Sequence, residues 1–265
     1  MPSQFVPVDF LYQQNEFLID LAVFILLLLV TEIGFRRGRA ITADLAEASK
    51  SQLTTIQAAV MGLLALLLAF SFAMAESRFA IRQSLVVEEA NAIGTVSLRA
   101  RLLPEPYNNE VAELLRQYLD TRIAYHETGI DLVKINKAIA RTQTEQNELW
   151  SRAVAAVKTN PSSPLYALFI SSLNDAFDLQ AKRTAARENH VPPIVFYLLF
   201  FVAAVSMLLV GLGSGVSNRR HLAFTTSVAI LISLVILVIM DLDRPRRGII
   251  EVSNESMIVL RNSLR

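Results

Sequence analysis

Four charge-poor, apolar stretches constrain most strongly how this chain can fold. The clearest runs from Ser51 to Ala75 without a charged residue, and another runs from Val191 to Asn218. A third, Leu222–Met240, lies between Arg219-Arg220-His221 and Asp241. A membrane-spanning helix needs about 20 mostly apolar residues. Each of these stretches is long enough, so each predicts a helix that crosses a bilayer.

The stretch nearest the N-terminus is shorter than the other three. Its charge-free core, Leu21–Thr31, cannot cross a bilayer alone, so the predicted span extends over Phe17–Phe35. Asp20 and Glu32 then lie near the two interfaces, where we expect both to reach headgroup water. Acids held deeper in the membrane would instead be candidates for a functional role.

The apolar residues are concentrated in two blocks that flank a polar segment. They make up 53% of the chain, against about 45–50% in a typical soluble domain. We predict an all-α protein with four transmembrane helices in two pairs and an extramembrane helical insert. Residues 1–75 form the first helix pair and 76–190 the insert, while 191–240 form the second pair and 241–265 a polar C-terminal tail.

The insert is predicted to be a helical bundle continuous with the second span. No proline or glycine interrupts the chain between Leu63 and Ile93, so one helix can run through both until Pro104 stops it. Apolar residues then recur at helical spacing, with no strand-like alternation. One apolar face of the long helix comprises Val86, Ile93, Val96, Ala100 and Leu103.

Charge does not decide which face of the membrane the insert occupies. Four crossings put the N-terminus, the insert and the tail on one side. The loop between the first two spans carries Arg36, Arg37, Arg39 and Lys50, which favours the cytoplasm for that loop. The insert side, however, carries Arg78, Arg82, Lys182, Arg183 and Arg187.

Catalytic, metal and nucleic-acid sites are not expected. The net charge of +1 provides no basic field for nucleic acid, and the chain has no cysteine. His126, His190 and His221 are too scattered for a metal-binding motif. The glycine-rich segment Gly211–Gly215 lies in an apolar span rather than between a strand and a helix, so we interpret it as a flexible end of the third span. We therefore expect no enzyme activity and no cofactor.

Two sequence blocks resemble the bestrophin-like family of bacterial membrane proteins. One runs from Gly62 through Ala75 and Arg78 to Leu98-Arg99, and the other is Asp241-Leu242-Asp243-Arg244-Pro245. The resemblance implies a multi-pass protein of the bacterial plasma membrane. Through the family's distant similarity to bestrophin anion channels, it also implies a homo-oligomeric ion channel with a cytoplasmic insert. The short acidic run after the last span gives no basis for calcium gating.

Small residues form a stripe along the second span, at Ala58, Gly62, Ala65, Ala69 and Ala73. Such a stripe lets helices approach closely, so it can serve packing within or between subunits. The alternative is a pore-facing stripe around a symmetry axis, with the bulky Leu64, Leu68 and Phe72 forming an apolar constriction on another face of the helix.

Two polar groups of residues are further candidates. Asp241 and Asp243 end the fourth span, where the helix dipole disfavours acids. We predict that Arg78, Arg82 and Arg244 offset this cost in a structural clasp, with a cation site as the alternative. The second group shares one face of the long helix and forms either a buried network or a solvated face: Glu88, Asn91, Thr95 and Arg99.

The sequence thus predicts a homo-oligomeric, bestrophin-like ion channel or pore whose partners are the lipid bilayer and inorganic ions. Anion selectivity is implied by the resemblance alone. The alternative is a non-conducting membrane scaffold or sensor whose insert binds a partner.

Overall fold

The computed structural model describes residues 15–41, 47–129, 131–244 and 248–264. Pro245 of the second family block lies outside them. The described residues contain eight α-helices and no strand, which confirms the all-α class. The helices are α1 (Glu16–Ile41), α2 (Glu47–Ala100), α3 (Tyr107–Glu127), α4 (Leu132–Thr159), α5 (Pro164–Glu188), α6 (Pro193–Val216), α7 (Leu222–Asp243) and α8 (Glu255–Ser263).

Within the described residues, four helical segments are long and apolar enough to cross a membrane, as predicted. They are α1, α2, Pro164–Val216 and α7. Within Pro164–Val216 the whole of α6 is free of charged residues. The second span and the start of the insert form one helix of 54 residues. That helix ends before Pro104 because proline lacks the N–H that would continue it.

The chain divides into two compact units. The membrane unit comprises Val8–Ser77 and His190–Arg244, and so holds α1, the first part of α2, α6 and α7. The insert unit is formed mainly by Arg78–Asn189 together with the C-terminal segment Pro245–Arg265. It holds the rest of α2 and α3, α4, α5 and α8.

The core of the insert unit forms where the amphipathic faces of its helices meet. The predicted apolar face of α2 is buried there, together with residues of α3, α4 and α5. Phe169 of α5 and Leu149 of α4 are fully buried in this cluster. The start of α4 is fixed by Asp131, whose carboxylate accepts the backbone N–H groups of Val133 and Lys134. Such N-caps satisfy donors that the first helical turn leaves unpaired.

Glycines bring α1 and α6 into backbone contact in the membrane unit. Gly34 and Gly38 lie one turn apart on α1, and Gly211 and Gly215 lie one turn apart on α6. A Cβ added at Gly34 would collide with the carbonyl of Leu208, and one added at Gly211 would collide with the carbonyl of Thr31. Small residues at such spacing permit close helix packing in membranes.

This contact corrects our interpretation of Gly211–Gly215 as a flexible end of the third span. Helix α6 continues through these residues to Val216, and Gly211 and Gly215 pack against α1. The prediction was wrong because glycine favours flexibility only where no neighbouring backbone needs the space that its missing side chain leaves.

We expect Gly34→Ala and Gly211→Ala to destabilise the membrane unit by about 1–3 kcal/mol each, because backbone atoms cannot move aside as a side chain can. Gly213→Ala is the matched control on α6, since its Cβ would meet only the end of the Gln57 side chain. Unfolding midpoints of the full chain in detergent measure the difference. An equal loss in the Gly213 variant would contradict the proposed contact.

Candidate functional site

The small-residue stripe of α2 is exposed in a single copy of the chain. Gly62, Ala65, Ala69 and Ala73 are all exposed, and no atom lies within 4 Å of a Cβ placed at Gly62. At about 100° of helix rotation per residue, the stripe faces away from the buried side of α2, which carries Leu64, Ser71 and Ala75. Among the described residues the stripe therefore packs against no helix of its own copy, and packing between copies or a pore-facing role remains.

The bulky residues predicted to form a constriction do not share one environment. Leu64 is 1% exposed and faces the interior of the membrane unit, so it cannot line a conduit together with the stripe. Leu68 is half-buried. Phe72 is 41% exposed and lies three residues after Ala69, which places it at the border of the stripe. Of the three, Phe72 has the position that a constriction needs.

The end of α7 is tied to the start of α6. The Asp243 carboxylate accepts the Val191 backbone N–H, with N–O distances of 2.9 and 3.1 Å. The next two residues are Pro192 and Pro193, which have no N–H to offer. The His190 ring nitrogen Nδ1 lies 3.0 Å from the Asp243 carbonyl oxygen. The Asp243 carboxylate thus lies near the N-terminus of α6, the positive end of that helix dipole. This favourable interaction offsets the unfavourable one at the C-terminal end of α7.

These contacts do not join an aspartate to an arginine, so the predicted clasp stays a prediction. Asp241, Asp243 and Arg244 are all buried. Arg244 Nη1 lies 3.4 Å from the Glu16 carboxylate at the start of α1, a partner that the sequence did not indicate. Participation of Arg78 and Arg82, which belong to the insert unit, stays a prediction.

Within the described chain, the side chains of Glu88, Asn91, Thr95 and Arg99 make no hydrogen bond to one another. The Thr95 hydroxyl donates to the Asn91 backbone carbonyl at 3.0 Å. Glu88, Asn91 and Thr95 are exposed, and Glu88 instead accepts a hydrogen bond from Ser84 at 2.6 Å. Arg99 donates to the Leu168 carbonyl, also at 2.6 Å. In one copy this face of α2 is thus open to its surroundings.

A buried polar network exists one residue further along, around Glu89. This side chain is 0% exposed, and both of its oxygens are paired. Arg122 Nε of α3 donates to Oε1 at 2.7 Å, and Arg183 Nη1 of α5 donates to Oε2 at 2.7 Å. One carboxylate thereby joins three helices of the insert unit.

Further contacts extend this network to the C-terminal segment and to an aromatic ring. Arg183 Nη2 donates to the Asn254 amide oxygen at 3.3 Å, just before α8 begins. The guanidinium groups of Arg122 and Arg187 lie 5.0 and 4.5 Å from the centre of the Tyr125 ring. Cations at these distances are attracted to the face of an aromatic ring.

The two arginines keep Glu89 ionised despite its burial. Removal from water by itself raises the pKa of the carboxyl group, but the positive charges and hydrogen bonds of Arg122 and Arg183 outweigh this effect. The pKa of Glu89 consequently lies below its ordinary value of 4.5.

Known proteins resemble this chain in family and in fold. A family model for the bestrophin-like domain matches residues 24–257. The chain belongs to the bestrophin-like family. No curated protein matches it.

Solved structures with the same fold come from the bestrophin homologue of Klebsiella pneumoniae. One is 16% identical, covers 92% of this chain and 96% of the homologue, and has a TM-score of 0.63. A single-residue variant is 15% identical, with 92% and 97% coverage and a TM-score of 0.66. At such identity the likeness shows a shared fold. Membership of the bestrophin-like family, together with the four apolar segments, identifies the chain as an integral membrane protein.

The sequence contains a signal that Glu89 is buried, although the predicted polar group includes its neighbour Glu88 instead. Glu89 follows Val86 by three residues and precedes Ile93 by four, so it falls on the apolar face of the long helix. Arg122 likewise follows Tyr118 by four residues in the buried series of α3. A charged residue within a buried stripe indicates a partner of opposite charge, because an unpaired buried charge is costly. The sequence alone does not show which helices pack together, however, so it could not identify Glu89 and Arg122 as partners.

We expect Glu89→Ala to destabilise the insert unit by about 3–5 kcal/mol, because it leaves two buried arginines without their carboxylate. Glu88→Ala removes the adjacent, exposed carboxylate and should change stability by no more than about 0.5 kcal/mol. Urea unfolding of the full chain in detergent can be followed by the fluorescence of Trp150, its only tryptophan, in α4. Equal effects of the two substitutions would contradict the burial of Glu89.

The lowered pKa of Glu89 also predicts sensitivity to acid. The stabilisation from an ionised Glu89 is complete above the ordinary pKa of 4.5 and is lost as the pH falls through the lower value of the folded state. Glu89→Gln cannot titrate, so the variant should lose less stability than wild type on acidification. Identical pH dependence of the Trp150 unfolding midpoint in both proteins would contradict this assignment.

Proposed function

We propose that the chain is a subunit of a homo-oligomeric, bestrophin-like ion channel in which α2 lines the conduit. The observation that carries the proposal is the exposed stripe of Gly62, Ala65, Ala69 and Ala73. It lies on the side of α2 opposite to the helix's own buried face. Copies arranged around a symmetry axis can direct this face toward the axis.

The limited burial of α2 supports an assembly of several copies. Only 17% of the most apolar stretch of α2 is buried in one copy, against 44% of the corresponding stretch in the third span. Lipid can cover part of the remaining surface. Small side chains, however, are favoured where helix backbones approach one another, rather than where a helix contacts lipid tails alone. The small residues therefore favour an assembly in which the α2 helices of several copies approach one another around the axis.

The wall that α2 would give a conduit carries no charge, because no charged residue lies between Ser51 and Ala75. A ring of charged side chains from this stretch therefore cannot select the ion. An apolar constriction can control conduction by dewetting, and Phe72 at the stripe border is suited to this role. Anion selectivity is proposed from the family resemblance to bestrophin channels.

The alternative function is a non-conducting scaffold or sensor. The exposed polar face with Glu88, Asn91 and Thr95 favours it, since it adjoins the exposed apolar residues Val87 and Leu98. A surface of mixed polar and apolar character is typical of the rim of a protein interface. Conductance distinguishes the two functions, because a scaffold would assemble and bind without passing ions.

We expect the purified oligomer to conduct in planar bilayers under an anion gradient, and Phe72→Ala to change the single-channel conductance. Phe70→Ala is the matched control: Phe70 is 63% exposed and lies roughly 200° around α2 from Phe72. A monomer in detergent, or currents that are the same in wild type and the Phe72 variant, would count against this model of the conduit. No current from a verified oligomer would favour the scaffold.

The proposed location is the bacterial plasma membrane with the insert in the cytoplasm, following the family resemblance. Because the chain has no cysteine, single substitutions can report the orientation without background. Ser162→Cys lies in the exposed loop before α5, and Ser217→Cys lies in the exposed turn after α6. In intact cells we expect a membrane-impermeant maleimide to label the cysteine at 217 and not the one at 162. The reverse pattern would put the insert outside.

A further inference from the structure

Exposed arginines gather at one end of the membrane unit, where α1 ends and the chain turns from α6 into α7. They form what we term the basic rim, comprising Arg36, Arg37, Arg39, Arg219 and Arg220. The first three belong to α1, and the other two lie about 180 residues later in the chain. The four crossings place both groups on the same side of the membrane, and folding brings the turn before α7 against α1.

Two contacts hold the rim together. The close approach of α1 and α6 persists to its edge, since a Cβ at Gly38 would collide with the Leu212 carbonyl. Beyond α6, Arg220 Nη2 donates to both carboxylate oxygens of Glu32, at 2.8 and 3.1 Å. Its guanidinium also lies 4.5 Å from the centre of the Phe35 ring. These contacts hold the turn between α6 and α7 against α1.

The rim carries more positive charge than its neighbours neutralise. Glu32 pairs with Arg220 and also with Arg36, at 2.8 Å. Lys50, at the start of α2, has its own partner in Glu47 at 2.6 Å. Within the residues that the structure describes, Arg37, Arg39 and Arg219 form no ion pair, and all three are exposed. The rim thus offers three guanidinium groups to an external anion.

The apolar surface next to the rim indicates where that anion comes from. Ile33 on α1 is 46% exposed, and at the start of α7 Leu222 and Phe224 are 61% and 67% exposed. These side chains belong to membrane-spanning helices, so the arginines beside them lie at the level where hydrocarbon gives way to headgroups. Arginine matches the geometry of a phosphate group with paired hydrogen bonds.

We propose that the basic rim binds the phosphate headgroups of anionic phospholipids, with Arg37, Arg39 and Arg219 as the ligating side chains. Arg220 and Glu32 act as positioning residues that hold the turn in place. The binding needs only the membrane unit and does not depend on conduction. If the channel proposal failed, the lipid-binding proposal would still stand. The channel proposal would likewise survive a failure of lipid binding.

The test is binding of fluorescent phosphatidylglycerol and phosphatidylcholine to the full chain in neutral detergent. Wild type should bind phosphatidylglycerol more tightly, and added salt should weaken that preference. Each arginine near an anionic surface contributes roughly a fivefold gain in affinity. The combined variant Arg37→Gln, Arg39→Gln, Arg219→Gln should therefore bind phosphatidylglycerol about 100-fold more weakly.

The matched control removes three exposed basic residues from the insert unit by Arg101→Gln, Lys137→Gln and Lys158→Gln. It should bind phosphatidylglycerol as wild type does. Unchanged binding by the rim variant, or an equal loss in the control, would overturn the proposal. So would displacement of the lipid by soluble glycerol phosphate at equal concentration, since the rim would then be a site for free phosphate groups.

Discussion

The contact between α1 and α6 is the interaction on which the membrane unit depends. Gly34, Gly38, Gly211 and Gly215 let two helix backbones meet where any side chain would separate them. The hydrophobic effect does not drive helices together in hydrocarbon, because lipid tails are as apolar as the helix side chains. Close packing must therefore supply the attraction. The third span is the close partner of α1, and the small-residue face of α2 is exposed among the described residues. The same contact brings the arginines of α1 beside those of the turn before α7.

Burial of charge plays the corresponding role in the insert unit. Glu89 draws together α2, α3 and α5 through Arg122 and Arg183, and reaches α8 through Asn254. Apolar side chains could fill the same volume with little or no loss of stability. Charged groups differ in that each must find its particular partner, so we infer that the triad fixes how the helices align. The exposed neighbour Glu88 has no such constraint.

Family membership and a shared fold establish the kind of molecule, while the activity depends on its surfaces. The most informative surface is the face of α2 that one copy leaves uncovered, because it combines small exposed residues with the bulky, exposed Phe72 at its border. Phe72 and Leu64 illustrate how much the packing matters. Both are bulky residues of the same span, yet one is directed outward and the other is buried.

The sequence by itself determined the four spans, the continuity of α2 and the helical character of the insert. Each of these follows from local runs of residues, because crossing a bilayer requires length and apolarity, and a helix continues until proline stops it. The tertiary structure alone decided that Glu89 rather than Glu88 is buried, that Gly211 packs rather than bends, and that the α2 stripe faces away from its own copy. These outcomes depend on which helix lies opposite, and residues far apart in the chain determine that jointly through packing.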